Sequence, residues 1–190
     1  MFIEESLWIK EKLAGMDLSG VKTALNVGSS TLEFRTVTQP HIYKNVLLPL
    51  EERGIRIFNM DAKQAEGVDI VCDICTMEKI EQEFGLVICT ALLEHVADVK
   101  KATSNLLRLT REAGFLLVTA PFRYRYHEDP IDNMFRADNK QLESIFPSAK
   151  IIFSEMLLIN GIRYYNNPVE LFRRMILNKK WEISYLMVQK

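Results

Sequence analysis

Apolar residues come in short runs along this chain, separated by polar and turn-forming residues at intervals that suit alternating helices and strands. Residues 2–13 carry apolar side chains near positions 3, 7, 9 and 13, the spacing of one helix face, and this helix should close before Gly15. Residues 23–27 read as a first strand. A helix is expected to start at Ser30, because Ser30 and Glu33 have the S-x-x-E spacing of a capping box. Pro40 should break it, and residues 41–53 read as another helix with Val46, Leu47 and Leu50 on one face. Residues 55–60 give a second strand ending at Asp61, residues 68–72 a third ending at Asp73, and residues 77–84 a short helix. Leu86-Val87-Ile88-Cys89 is a continuous apolar run, as expected of a parallel strand covered on both faces. A helix at 99–111, closed near Gly114, and a fifth strand at 115–120 follow. Beyond Pro121 a polar, aromatic loop leads to a helix near 139–146, a strand at 150–156, a helix at 169–177 and a last strand at 181–188.

Such alternation implies right-handed crossovers and a mostly parallel sheet with helices on both faces, a doubly wound α/β fold. The 190 residues suit one domain spanning 1–190, with no repeat, linker or boundary in view. Ligands of open α/β sheets sit beyond the carboxyl ends of the strands. Thr90 through His95, which follow the apolar run, are therefore expected over a binding crevice.

Composition places the chain among ordinary globular proteins, at 48% hydrophobic and 26% charged residues. No apolar run approaches the roughly 20 residues of a membrane span. Glu4 and Glu5 stand where a secretory signal needs basic residues, so a cytoplasmic location without a membrane partner is expected. The three cysteines are too few for a disulfide framework, and Cys72-Asp73-Ile74-Cys75 lacks the second pair of a zinc site. The net charge of -1 divides unevenly: residues 1–95 hold 9 basic against 15 acidic side chains, and residues 96–190 hold 15 against 10. An acidic half suits a cationic ligand and a basic half an anionic one, although two solvated faces give the same counts. Near-neutral charge without a dense basic and aromatic surface sets nucleic acid aside as a partner.

Candidate chemistry gathers at the strand ends. Asn26-Val27-Gly28-Ser29-Ser30-Thr31 lies where the first strand turns toward a helix, and free amides there attract a carboxylate or phosphate that Gly28 lets approach the backbone. Asp61 closes the second strand 33 positions after Gly28, where an acid accepts hydrogen bonds from ribose hydroxyls. Nicotinamide-binding proteins place that acid about 20 residues after a fuller glycine motif, so a dehydrogenase is disfavoured. Gly85 through Val96, GLVICTALLEHV, resembles the fourth-strand motif of the class I S-adenosylmethionine-dependent methyltransferases, and the likeness extends over nearly the whole chain. The resemblance implies a seven-stranded sheet whose last strand is antiparallel, with S-adenosyl-L-methionine as cofactor. It assigns donor binding to Asn26, Gly28, Ser29, Asp61, Asp73, Ile74 and Thr90, with Asp73 and Ile74 at the adenine and Thr90 at the methionine portion. Glu94 and His95 fall at the crevice floor, although His95 equally suits an internally satisfied helix position. The chain departs from the family in having one glycine in the first loop and Gly85 where an aspartate is common.

The loop after the fifth strand resembles a methyltransferase subgroup found in polysaccharide biosynthesis, through Pro121, His127, Pro130, Asp132 and Arg136. His127 would remove a proton from an acceptor hydroxyl or amine, and Asp132 would orient it. Arg123, Arg125 and Arg136 offer phosphate or carboxylate binding. Phe122, Tyr124 and Tyr126 offer cation–π contact to a sulfonium. The same side chains would also serve an ordered loop that pairs with its own acids. No metal site is expected, since His127, Asp129 and Asp132 have no recognised ligand geometry. The expected function is methyl transfer to a small or glycan-linked acceptor, with an anionic acceptor as one option. A cofactor- or nucleotide-binding module without turnover is the alternative. The sequence sets no oligomeric state.

Overall fold

The apolar run that stands out in the sequence becomes the central strand of the sheet. In the computed structural model, which describes residues 1–77, 80–127, 131–160 and 180–190, β4 (Phe84–Cys89) is buried at every position. It lies between β1 (Thr23–Val27) and β5 (Thr110–Arg123), both parallel to it. β2 (Arg56–Asp61) and β3 (Ile70–Val71) extend the parallel part beyond β1. On the other side β7 (Trp181–Gln189) runs antiparallel to both β5 and β6 (Lys150–Ile159), giving the order β3-β2-β1-β4-β5-β7-β6. This is the expected α/β sheet of seven strands with the last strand antiparallel.

The period-two alternation of β4 divides the core. Val87 and Cys89 pack on one face with Leu25, Leu116 and Leu106, while Leu86 and Ile88 pack on the other with Ile9, Leu50 and Leu117. The first face is covered by α4 (Val99–Leu109), capped by Asp98, whose side chain accepts from the Lys101 amide. Its Leu106 and Leu109 are almost wholly buried, which stabilises the fold by roughly 1.5–3 kcal/mol each. The second face is covered by α1 (Ile3–Ala14) and by a helical stretch built from α2 (Pro40–Ile42), a π-helical turn (Tyr43–Leu47) and α3 (Leu48–Glu51). Another π-helical turn, Phe34–Thr38, precedes α2. Each wide turn ends just ahead of a proline, with Gln39 donating to the Phe34 carbonyl and Leu48 to the Tyr43 carbonyl. A proline ring clashes with the carbonyl four residues earlier in an α-helix, so i to i−5 bonding before it fits both places.

Several local expectations need correction. Ser30 does not cap a helix: it has φ +55°, and the Phe34 amide donates instead to Thr31 Oγ1 at 3.0 Å. β3 is a two-residue edge strand rather than residues 68–72, because only Met60 and Asp61 pair with it. Among the described residues 77 and 80–84 there is no helix, and Phe84 already belongs to β4. β5 runs longer than its apolar core because Thr110 pairs with Phe84 of β4 and Pro121 and Arg123 pair with β7, and β6 is lengthened by its own pairing with β7. α5 (Asn139–Ser144) sits where a helix is expected, with the reciprocal Asp138 and Gln141 capping box. The helix expected at 169–177 lies outside the described residues. No helix among them is long and apolar enough to cross a membrane.

Candidate functional site

The strand order reverses between β1 and β4, and beyond the carboxyl ends of the strands at such a point an open α/β sheet forms a crevice. A cavity of about 610 Å³ fills it. Its wall includes Asn26, Gly28, Ser29, Asp61, Asp73, Ile74 and Thr90, so all seven residues singled out on the first four strand ends meet in one space. A second cavity, of about 730 Å³, opens beside it toward α1 and α2, and the two share Met1, Gln39, Ala91 and His127.

The floor of the first cavity is a tightly tied loop. Gly28 has φ +70°, and a Cβ there would stand 3.0 Å from Leu92 Cδ1, so only glycine fits without moving that side chain. The Ser29 amide donates to the Met60 carbonyl, and the Ser30 amide donates to Asp61 Oδ2 at 2.8 Å. Asp61 Oδ1 accepts from the Lys63 amide at 3.0 Å, which fixes the carboxylate at the strand end with lone pairs still facing the cavity. Asp73 is fixed in the same manner by the Cys75 amide, at 2.8 Å. Beneath the loop lies Arg35, 3% exposed, whose Nη1 donates to the Ser29 and Ser30 carbonyls and whose Nη2 donates to the Gly67 carbonyl. Burial lowers its pKa from the ordinary value, with Asp69 and Asp61 opposing the shift. Nothing in the local residue pattern marks Arg35 for this role, because an arginine in an amphipathic stretch is usually solvated.

The turn after β4 carries the second group. Ala91 has φ +49° and its amide donates to Thr119 Oγ1, and the turn Leu93–His95 then brings Glu94 and His95 to the junction of the cavities. Four described non-glycine residues have left-handed backbone, a strain of order 1–3 kcal/mol each: Ser30 and Ala91 line the first cavity, Met134 lies in the loop after β5, and Ala113 lies away from both cavities. Glu94 is 3% exposed and its Oε2 has no hydrogen-bond partner among the described residues. Burial pushes its carboxyl up to about 7, with Glu5 adding to the shift and His95 opposing it. His95 Nδ1 sits 2.6 Å from the Ile131 carbonyl. A carbonyl only accepts, so Nδ1 carries the proton and Nε2 of neutral His95 offers a lone pair.

The loop after β5 divides its expected roles. His127 borders both cavities, and its ring meets that of His95 edge to face at 4.8 Å. Burial lowers its pKa, and the Arg125 carbonyl opposes that. Asp132 reaches neither cavity wall: its carboxylate is fully buried and holds Arg136 at 2.7 Å and 3.1 Å together with the His127 and Met134 amides. The Arg136 hydrogen bonds, foremost, keep Asp132 well below the usual carboxylate range. Its Oδ2 also lies 3.3 Å from His127 Nδ1, so it touches His127 from behind. Asn133 pins the loop to the turn, donating to the Leu93 and Val96 carbonyls. Of the three aromatic residues only Tyr124 lines a cavity, and none of the three loop arginines does: Arg123 pairs with Glu182 and Arg136 with Asp132. Instead Glu5, His41 and Lys44 join Glu94 and His127 around the second cavity. Asp129 and Pro130 lie outside the described residues.

Residues 25–118 match the family described as "Methyltransferase domain". No curated protein matches the chain at a significant level. Among solved structures it is similar to the [4+2]-cyclase SpnF, with 14% identity and a TM-score of 0.63 over 99% of this chain and 80% of that one. It is also similar to the phosphoethanolamine N-methyltransferase 2 of Haemonchus contortus, with 14% identity and a TM-score of 0.59 over 98% of this chain and 52% of that one. A third is the 1,6-didemethyltoxoflavin-N1-methyltransferase of Burkholderia thailandensis, with 11% identity and a TM-score of 0.58 over 99% and 77%. Identities this low speak for the fold.

Proposed function

We propose that this chain is a class I S-adenosylmethionine-dependent methyltransferase, a reading supported by the methyltransferase-domain match of residues 25–118, and that it methylates a small-molecule or glycan-linked acceptor held in the second cavity. The observation that carries the reading is the convergence of seven strand-end residues on one cavity next to another of similar size. The first cavity suits the donor on its own chemistry: a glycine cradle that a Cβ would fill, and two carboxylates with free lone pairs at successive strand ends. Asp61 would hold the ribose hydroxyls, Asp73 and Ile74 the adenine, Asn26, Gly28 and Ser29 the amino-acid end, and Thr90 the methionine chain. S-adenosyl-L-methionine, when bound, would supply a sulfonium methyl carbon open to in-line attack by the acceptor, with S-adenosylhomocysteine as the leaving group.

The protein's own part is alignment and exclusion of water, which is worth on the order of 7–11 kcal/mol at best. His127 borders both cavities and is the side chain to take a proton from an acceptor hydroxyl or amine. Asp132 acts as a positioning residue behind it. Tyr124 is the ring available to a sulfonium. An anionic acceptor would meet His41, Lys44 and His127 rather than the loop arginines, and Glu5 and Glu94 favour placing its charge away from them. The Haemonchus relative was solved with phosphomonomethylethanolamine and the Burkholderia relative with 1,6-didemethyltoxoflavin, both small molecules. The three free thiols suit a reducing compartment such as the cytoplasm.

A cofactor-binding module without methyl transfer is the second reading, favoured by the shared fold with a [4+2]-cyclase. Calorimetric titration with S-adenosylmethionine, followed by a screen of phosphorylated sugars, phenols and amines for methyl uptake, separates the two. Wild type should bind the donor, and Asp61→Ala should bind it at least tenfold more weakly. Absence of binding at millimolar donor overturns the reading, and an unchanged Asp61→Ala removes the donor assignment.

A further inference from the structure

Glu94, His95 and His127 come from two separate segments, yet one ligand atom of each lies within 4.8 Å of the other two. Both rings have their Nδ1 engaged by oxygen. His95 Nδ1 donates to the Ile131 carbonyl at 2.6 Å, and His127 Nδ1 lies 3.3 Å from both the Arg125 carbonyl and Asp132 Oδ2. This is the outer-shell arrangement that fixes the tautomer of a metal-ligating histidine and turns Nε2 toward the ion. The carboxylate between them is short of partners: Glu94 Oε2 has none among the described residues, and Oε1 stands 3.9 Å from His95 Nε2, beyond hydrogen-bond distance. A side chain that is 97% buried loses free energy in that condition, and a cation supplies what is missing.

We propose that Glu94, His95 and His127 bind one divalent transition-metal ion at the junction of the two cavities. Two imidazoles and one carboxylate suit Zn²⁺, Co²⁺ or Mn²⁺ rather than Ca²⁺ or Mg²⁺, which favour oxygen ligands throughout. Three protein ligands leave coordination positions open, as in sites where the ion takes up a reactant. Glu94 lines the second cavity, His95 the first and His127 both, so the open positions face the place where the cavities meet. Resting on the methyltransferase reading, the ligand taken there is an acceptor oxygen, which the ion makes more acidic so that a hydroxyl gives its proton to solvent; with the ion bound, His127 Nε2 is a ligand rather than the base, and specificity favours acceptors that offer a hydroxyl or carboxylate to the ion.

The test uses tag-free protein stripped with a chelator and titrated with Co²⁺, read by its visible absorption bands and by metal content after gel filtration. Wild type should take up one equivalent at micromolar Co²⁺, and Zn²⁺ should displace it. Glu94→Gln, His95→Gln and His127→Asn should each weaken uptake at least tenfold, while the Cys72→Ser/Cys75→Ser double variant leaves it unchanged. Circular dichroism checks folding, and the partly exposed His127 gives the variant least dependent on core packing. Substoichiometric uptake by wild type, uptake unaffected in the folded His127→Asn protein, or loss only in the cysteine variant overturns the site. Donor titration of the same samples keeps the two readings apart: Co²⁺ uptake without S-adenosylmethionine binding defeats the methyltransferase reading alone, and the reverse defeats the metal site alone.

Discussion

Replacing Arg35 by Met tests whether the loop around Gly28 is held from below. Methionine fills much of the volume but donates nothing to the Ser29, Ser30 and Gly67 carbonyls. Hydrogen bonds from a charged donor contribute about 1.5–3 kcal/mol each. Removing the guanidinium also relieves the cost of burying its charge, several kcal/mol, which offsets much of that loss. The carbonyls left without a partner cost about 1–3 kcal/mol apiece where water cannot reach them, so a net destabilisation of about 3 kcal/mol is expected. For a chain of this length that corresponds to a fall in Tm of roughly 6–12 °C. Loosening the loop by only about 1.4 kcal/mol relative to its bound form weakens the donor tenfold. Differential scanning calorimetry and donor titration measure both effects, with Arg35→Lys as comparison. A single ammonium cannot span carbonyls that the guanidinium fork reaches from two nitrogens, so Lys should recover only a minor share. If Arg35→Met melts within about 2 °C of wild type and binds the donor equally well, the Ser30 to Asp61 and Ser29 to Met60 hydrogen bonds hold the loop alone and the reasoning fails.

Gly85→Asp, which installs the acid common in the family, should destabilise by about 3 kcal/mol or more, because its Cβ would meet Val21 Cγ1 at 3.2 Å and its carboxylate would be buried without a partner. Donor affinity should not rise, since Gly85 lies at the opposite end of β4 from the cavity; a gain on titration would refute this. Leu93→Ala removes a fully buried side chain beneath the junction turn, and urea unfolding should report a loss of about 2–5 kcal/mol. Asp132→Ala strands Arg136, whose side chain is 12% exposed, and should cost about 3–5 kcal/mol while leaving the donor Kd within a few-fold of wild type. Thermal melts and titration check both halves. S-adenosylhomocysteine at one hundred times its Kd should stabilise the protein by about 2.7 kcal/mol, and a melting curve unmoved by it argues against product binding in the first cavity.

The residues that line the first cavity were legible as strand ends, and Asp61, Asp73 and Thr90 each stand where a predicted strand stops. Gly28 was legible as a turn, and its need for a bare Cα became plain only beside Leu92. Arg35 was hidden because no local spacing marks it as buried: the Ser29 and Ser30 carbonyls lie six and five positions before it, but its third acceptor, Gly67, lies 32 positions on. The paired histidines were hidden for the same reason: 32 positions separate His95 from His127, and no local spacing brings them together. Ser30 misled because S-x-x-E marks a cap only when the serine keeps an extended backbone, and here the loop bends through φ +55° to give its amide to Asp61. Met77, Ile80 and Phe84 have helical spacing, but Phe84 is taken up by pairing with Thr110 of β5. Tertiary pairing overrode the local period.

Among the described residues, β6 joins the sheet through β7 and no other strand. Any opening that detaches β7 from β5 therefore frees β6 as well, whereas β6 can peel away while β7 stays on β5. Amide protons of β6 that bond to β7 should exchange with deuterium at least as fast as those that tie β7 to β5. That ordering makes the outer pair a nested unit, with its least protected layer at the edge and its most protected layer next to the strand that feeds the functional loop.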